Sequence, residues 1–250
     1  MKIQSLFILS LVCAFAFLSV YPADAIIYGK READEATIPW DEGVKHWEVG
    51  PGAQFEIKGD ELELHSQGNT GLFFNHPDVN PAELTDYELE VSARKIGDDS
   101  KYFHLFTRTV VPTKDFYFVE VSYNSNTISM YEFRDGAAHE ITPGGNAGRP
   151  KRPDSKDTAG GEHYILKFSA EGNILKYSVD GRLSIVVQNN KWAKGPPGIG
   201  GRGGQVNYYW VRVDSLPEQG LQNIPSTDKQ LSVDSKGKLT TTWGRLKRGF

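Results

Sequence analysis

The chain has 250 residues, 24% of them charged, and a formal net charge of −4. That mildly acidic balance has no large basic field and argues against nucleic acid as a partner. A single cysteine excludes an internal disulfide framework, and 13 Phe, 11 Tyr and 5 Trp against 2 Met point to an aromatic, β-rich protein.

Residues 1–25 read as a secretory signal peptide. Lys2 precedes the apolar run "IQSLFILSLVCAFAFLSV", and Ala23-Asp24-Ala25 supplies a small-x-small cleavage site. The competing reading is an uncleaved membrane anchor. Val12 before Cys13 is too large for a lipoprotein site. Cleavage after Ala25 removes one Lys and one Asp, so 225 residues remain with the same net charge and no cysteine. The expected location is outside the cell: secreted, at the cell surface or periplasmic.

Residues 26–39 read as a charged, flexible lead-in. Lys30-Arg31 is open to two readings, a dibasic processing site or a solvated charge pair.

From Trp40 the pattern is strand after strand, and residues 40–215 read as one β-sandwich. "HWEV", "QFEIKGDELELHS" and "GLFFN" come first, with Gly59-Asp60 as a turn and Leu62 and Leu64 alternating with Glu61, Glu63 and His65. "NHPDVNPAELT" is a loop by composition. "DYELEVSARKI" alternates over its whole length. "KYFHLFTRTVV", "KDFYFVEVSYNSN" and "TISMYEF" follow, the last two joined by a turn at Asn124-Ser125-Asn126. Arg134 to Gly161 is rich in Gly, Pro and charge and reads as a long exposed loop. Next, "HYILKFSAEGNILKYSVDGRLSIVV" is a meander. Its Asp180-Gly181 pair suits a type I′ turn, which needs positive φ at both central residues. "KWAKGPPGIGGRGG" reads as a loop before the closing strand "QVNYYWVRVDS". Many short alternating strands and no long amphipathic helix argue for an antiparallel sandwich or barrel. Residues 216–250 form a polar, basic-ended tail, read either as a docking or attachment peptide or as a frayed terminus or helix.

Period two places Tyr102, His104, Phe106 and Arg108 on one face of their strand. On the next strand Phe118, Glu120 and Ser122 share a face. His104, Arg108 and Glu120 are therefore expected to meet, gripping sugar hydroxyls while an aromatic ring stacks on the sugar. The alternative is an Arg108–Glu120 ion pair that sets register. Trp192 is read as a stacking platform or as a plug for the end of the sandwich. Tyr208 and Trp210 are read as core residues sharing one face. Asp98, Asp99, Asn124 and Asn126 are loop oxygens suited to structural calcium, although turn chemistry explains them equally. Otherwise no cofactor is expected. The histidines lack zinc spacing, and no Gly-x-Ser-x-Gly occurs.

The order of "DYELEVSARKI", "YFHLFTRTV", "YFVEVSYNSNTISMYEF", "HYILKFSAEGNILKYSVDGRLSIVV", "KGPPGIGG" and "VNYYWVRV" resembles a concanavalin A-like lectin/glucanase jelly roll. It is similar in particular to laminin G-like and 3-keto-disaccharide hydrolase-like domains. The resemblance covers about residues 40–214 and implies an all-β, two-sheet antiparallel fold with carbohydrate as ligand. Two departures stand against catalysis: the Glu-x-Asp-x-x-Glu run of the glucanases is missing, and "GDDSKYFHLFTR" replaces the hydrolase-like Asn-Ser-Gly. The expected function is thus secreted, non-catalytic glycan binding. The alternatives are a glycoside hydrolase acting on a modified disaccharide and an adhesive surface domain that binds a cell-surface protein or glycan.

Overall fold

The computed structural model describes residues 25–31, 37–96, 102–110, 115–122, 127–145, 147–148 and 163–215. Its strands in chain order are β1 (Ile26–Gly29), β2 (Trp47–Val49), β3 (Ala53–Lys58), β4 (Glu61–Ser66), β5 (Gly71–Phe74), β6 (Tyr87–Ile96), β7 (Tyr102–Val110) and β8 (Asp115–Ser122). They continue as β9 (Thr127–Arg134), β10 (Ala137–Glu140), β11 (Ala147–Gly148), β12 (Tyr164–Glu171), β13 (Ile174–Val179), β14 (Arg182–Gln188), β15 (Gly198–Arg202) and β16 (Gly204–Ser215). One short helix, α1 (Trp40–Gly43), precedes β2.

The strands form two sheets. The first runs β14-β13-β12-β6-β16-β4-β3, with β1 beside β16; the second runs β10-β9-β8-β7-β15-β5-β2, with β11 beside β9. Every named strand pair is antiparallel. The all-β sandwich expected from the alternation is therefore the fold.

Alternation fills the space between the sheets. Leu89, Val91 and Ala93 of β6 and Leu166, Phe168 and Ala170 of β12 point into the core, as do Leu175, Tyr177 and Val179 of β13. From the second sheet, Phe103 and Leu105 of β7 meet them together with Tyr117, Val119 and Val121 of β8. Face-to-face burial of this kind is the main stabilising term in a sandwich without disulfides. The Asp180-Gly181 turn takes the expected conformation, with φ of 49° and 74°.

Three sequence readings need correction. The lead-in is not loose throughout, because Ile26–Gly29 forms β1 and pairs with Trp210–Val213. A charge-rich neighbourhood hid four residues whose Ile27 and Tyr28 are buried. The stretch from Arg134 is not all loop, since β10 returns along β9 through Ala137–Glu140; residues 149–162 lie outside the description. Tyr208 and Trp210 do not share a face. A register shift between them turns Trp210 opposite Ser92, while Tyr208 stays in the core. The signal segment before Ala25 and the tail 216–250 also lie outside the described residues.

Candidate functional site

The outer face of the second sheet carries the most informative side chains. Register sets His104 beside Glu120 on one flank and Gly200 on the other, and Arg202 beside Tyr102. The next ladder sets Glu120 beside Ser129, Phe118 beside Tyr131 and Phe116 beside Phe133.

His104 Nε2 lies 3.0 Å from Glu120 Oε2. The Arg202 guanidinium covers the Tyr102 ring at 4.5 Å, and its Nη2 is 3.7 Å from the same carboxylate oxygen. His104 is fully buried, whereas the Glu120 side chain is 13% exposed and that of Arg202 41% exposed. Burial holds the His104 imidazole below its ordinary pKa, and Glu120 opposes that shift only in part. The neutral ring donates Nε2–H to the carboxylate, which leaves Nδ1 as a buried acceptor without a hydrogen-bond partner. The result is a half-open polar patch in which a buried histidine fixes a carboxylate and an aromatic ring steadies an arginine.

Beside this patch lies a platform of rings. Phe118 stacks with Tyr131 at 4.9 Å and Phe116 with Phe133 at 5.0 Å, while Phe106 tilts against Phe73 at 5.3 Å. Phe106, Phe116 and Phe118 are buried, and Phe73, Tyr131 and Phe133 are partly open. Glycine makes room for this packing. A Cβ on Gly200 would fall 2.6 Å from Phe106 Cε2 and 2.5 Å from the Thr70 carbonyl. The first sheet's outer face is different in kind. There Lys167 pairs with Glu88 at 2.6 Å and Arg94 with Glu61 at 2.8 Å, an ordinary solvated charge pattern.

The four expected ligand residues divide into two pairs. His104 and Glu120 meet, as expected. Arg108 does not join them, and the Arg108–Glu120 ion pair does not form either. A bulge between Thr107 and Val110 breaks the period-two alternation, and Arg108 adopts a φ of 51°. Its side chain is buried at the end of the sandwich, where it donates to the carbonyls of Thr85 (3.1 Å), Gly172 (2.6 Å) and Trp192 (3.2 Å) and to Asp86 Oδ1 (3.4 Å). Trp192 sits there too, partly buried, its ring 4.6 Å from that of Tyr117 and its backbone N–H donated to the Tyr117 hydroxyl at 3.1 Å. One side of it packs against the core. Asp98, Asp99, Asn124 and Asn126 lie outside the described residues. No group of three metal-binding His, Cys, Asp or Glu side chains exists among those described.

Arg202 was missed because "GIGGRGG" has loop composition. The available signal was alternation: Ile199 is a core residue between Gly198 and Gly200, so Arg202 falls on the glycines' side.

The buried imidazole gives a pH prediction. The folded pKa of His104 lies below the unfolded value of about 6.5, so above that pH both states are neutral and stability is flat. As pH falls from 6.5 toward 5 the unfolded chain takes up a proton that the folded chain refuses. Stability should drop by up to about 1.4 kcal/mol per pH unit for this group. Urea midpoints across that range check it, and a His104→Gln variant should show a shallower slope.

Two antiparallel sheets in this order define a concanavalin-like jelly roll. No protein-family model matches the sequence, and no curated protein matches it. Among solved structures the chain is similar to the carbohydrate-binding module CBM66 from Bacillus subtilis: TM-score 0.56, 20% identity, covering 68% of this chain and 96% of that one. It is also similar to galectin LEC-6 from Caenorhabditis elegans, with TM-score 0.41 and 14% identity over 65% of this chain and 96% of that one. The Crh5 transglycosylase matches at TM-score 0.46 and 12% identity over 79% and 86%. At such identities the likeness is one of fold.

Proposed function

We propose that the protein is an exported, non-catalytic glycan-binding domain whose ligand lies on the outer face of the second sheet. The observation that supports this most is the Tyr102–Arg202–Glu120–His104 patch beside partly open aromatic rings. Sugars are bound by such pairs: fixed charged groups grip hydroxyls, and rings cover C–H faces. Within the patch Glu120 accepts, Arg202 donates and Tyr131 offers a ring. Burial raises the Tyr131 hydroxyl pKa, so it remains a neutral donor at physiological pH. Among described residues of this face only Glu120 is tied to a histidine. The likeness to a carbohydrate-binding module supports the same reading.

The test is a glycan array with the purified domain, followed by titration of any hit. Glu120→Gln should keep the shape but lose a charge-assisted hydrogen bond, about 1.5–3 kcal/mol, or a roughly tenfold or greater loss of affinity. Unchanged affinity for the hit would remove Glu120 from the site. Release of a cleaved sugar by the wild type would replace binding with hydrolysis.

A further inference from the structure

We infer that the free edge of β3 is a self-association surface, where a second copy of this chain adds its own β3 antiparallel and joins the two first sheets into one.

β3 ends the first sheet and β2 ends the second, and residues 50–52 join them. Phe55 lies opposite Leu64 and Val49 opposite Leu72, so both point into the space between the sheets. Yet Phe55 is 37% exposed and Val49 45%, two of the three large apolar side chains that are exposed among the described residues. The other edge of the same sheet is closed. There Ile185 and Val187 of β14 are buried, and the ladder is irregular between Tyr177 and Ser178. β3 has six residues, no proline and no register shift, so little blunts it as an edge. Its charges, Glu56 and Lys58, stand on the outer face and offset each other at 3.3 Å.

The backbone of the same residues is open. Lys58 and Glu61 flank the two-residue turn Gly59-Asp60 and therefore exchange hydrogen bonds. Alternation then directs the N–H and C=O of Phe55 and Ile57 away from β4, and no described strand pairs with them there.

The side chains select the register. Two β3 strands must match inner face to inner face, which centres the two-fold on Phe55, Glu56 or Ile57. Glu56 at the centre opposes two carboxylates. Ile57 at the centre sets Phe55 against Gly59, which is already in the turn at φ of 64°. Phe55 at the centre pairs the strand from Ala53 to Ile57 in full. Phe55 then meets the partner's Phe55, and Ile57 fits over the partner's Ala53. On the outer face Gln54 donates to the partner's Glu56, a charge-assisted hydrogen bond made twice.

Opposite residues share a face, so both second sheets stay on one side of such a dimer. Where the glycan reading holds, and this consequence rests on it, two Glu120 patches face the same way. A glycan polymer or surface that engages both gains about 10²–10⁴ in avidity.

The test uses protein exported from the full 250-residue sequence and needs no sugar. Sedimentation equilibrium should give the wild type twice the mass of one chain by about 100 µM. Phe55→Lys should raise the dissociation constant at least about tenfold, because a lysine on the inner side of an edge strand opposes pairing. A second arm leaves Phe55 in place. Gln54→Cys and Glu56→Cys, both at exposed positions, are made in separate chains that also carry Cys13→Ser, then oxidised alone and mixed. A disulfide should form only in the mixture, where the two Cα atoms face each other at about 4.5 Å. A wild type that stays a single chain at about 100 µM overturns the association, and so does a Phe55→Lys variant that pairs as tightly as the wild type. A disulfide in Glu56→Cys alone, or none in the mixture, overturns the two-fold through Phe55. Failed glycan binding would leave each of these results unchanged, so the two readings fall separately.

Discussion

Arg108→Ala should cost the fold about 3–5 kcal/mol, the range found when one member of a buried charged network is removed. The side chain is 1% exposed and serves three separate segments. It donates to Thr85 O before β6, to Gly172 O in the β12–β13 turn and to Trp192 O in the loop before β15. Alanine removes the donor that ties those three carbonyls together and leaves Asp86 with only the Gly172 N–H, while the vacated space at the end of the sandwich adds a cavity term. Lysine is not a substitute, because one ammonium on a flexible stem cannot span the spread that a planar guanidinium covers. The urea midpoint should fall with the slope unchanged. Glycan affinity per folded molecule should stay as it was, since the Glu120 patch lies elsewhere on the sheet. Loss of affinity with stability retained would return Arg108 to the binding site.

That expectation reverses the one drawn from strand periodicity, and the reason is local. Alternation holds only while the ladder is unbroken, and a bulge that sets two residues opposite one, here Arg108 and Thr109 opposite Phe116, inserts one extra residue and moves every following side chain to the other face. Between Tyr102 and Thr107 the alternation placed His104, Phe106 and Glu120 correctly. Beyond Thr107 it failed, and nothing in "FTRTVV" marks a bulge, because the residue with positive φ is an arginine rather than a glycine. The same failure separated Tyr208 from Trp210. Hairpins whose turns carry their own chemistry were legible to the residue, as Asp180-Gly181 shows. Edge elements with weak composition were not: β10 lies in a polar stretch, and β15 is four-fifths glycine and arginine in "GIGGR". Half of the candidate site was therefore visible. Its hidden half, Arg202, depends on a strand that has only one apolar residue to reveal it.

The N-terminal strand gives the second large effect. Tyr28→Ala should destabilise the domain by about 3–5 kcal/mol, the usual result of truncating a buried aromatic ring. Tyr28 is a hub, its ring 5.4 Å from Trp47, 6.2 Å from Trp40, 6.4 Å from Phe74 and 5.9 Å from His46. Truncation would empty the space shared by β1, α1, β2 and β5, and these rings have few ways to close it. Tyr28→Phe is the control. It keeps the packing and gives up only the long contact from the hydroxyl to His46 Nδ1 at 3.4 Å, so it should change stability by less than about 1 kcal/mol. Deleting residues 26–29 should do more harm than either substitution. Trp210–Val213 of β16 would lose their partner on that edge, and an open edge of apolar residues promotes association between chains. Thermal unfolding and light scattering on the three variants read both effects. If Tyr28→Ala stays within about 0.5 kcal/mol of the wild type, as a surface change does, then β1 contributes nothing to the fold and residues 26–39 are the flexible lead-in that their composition suggested.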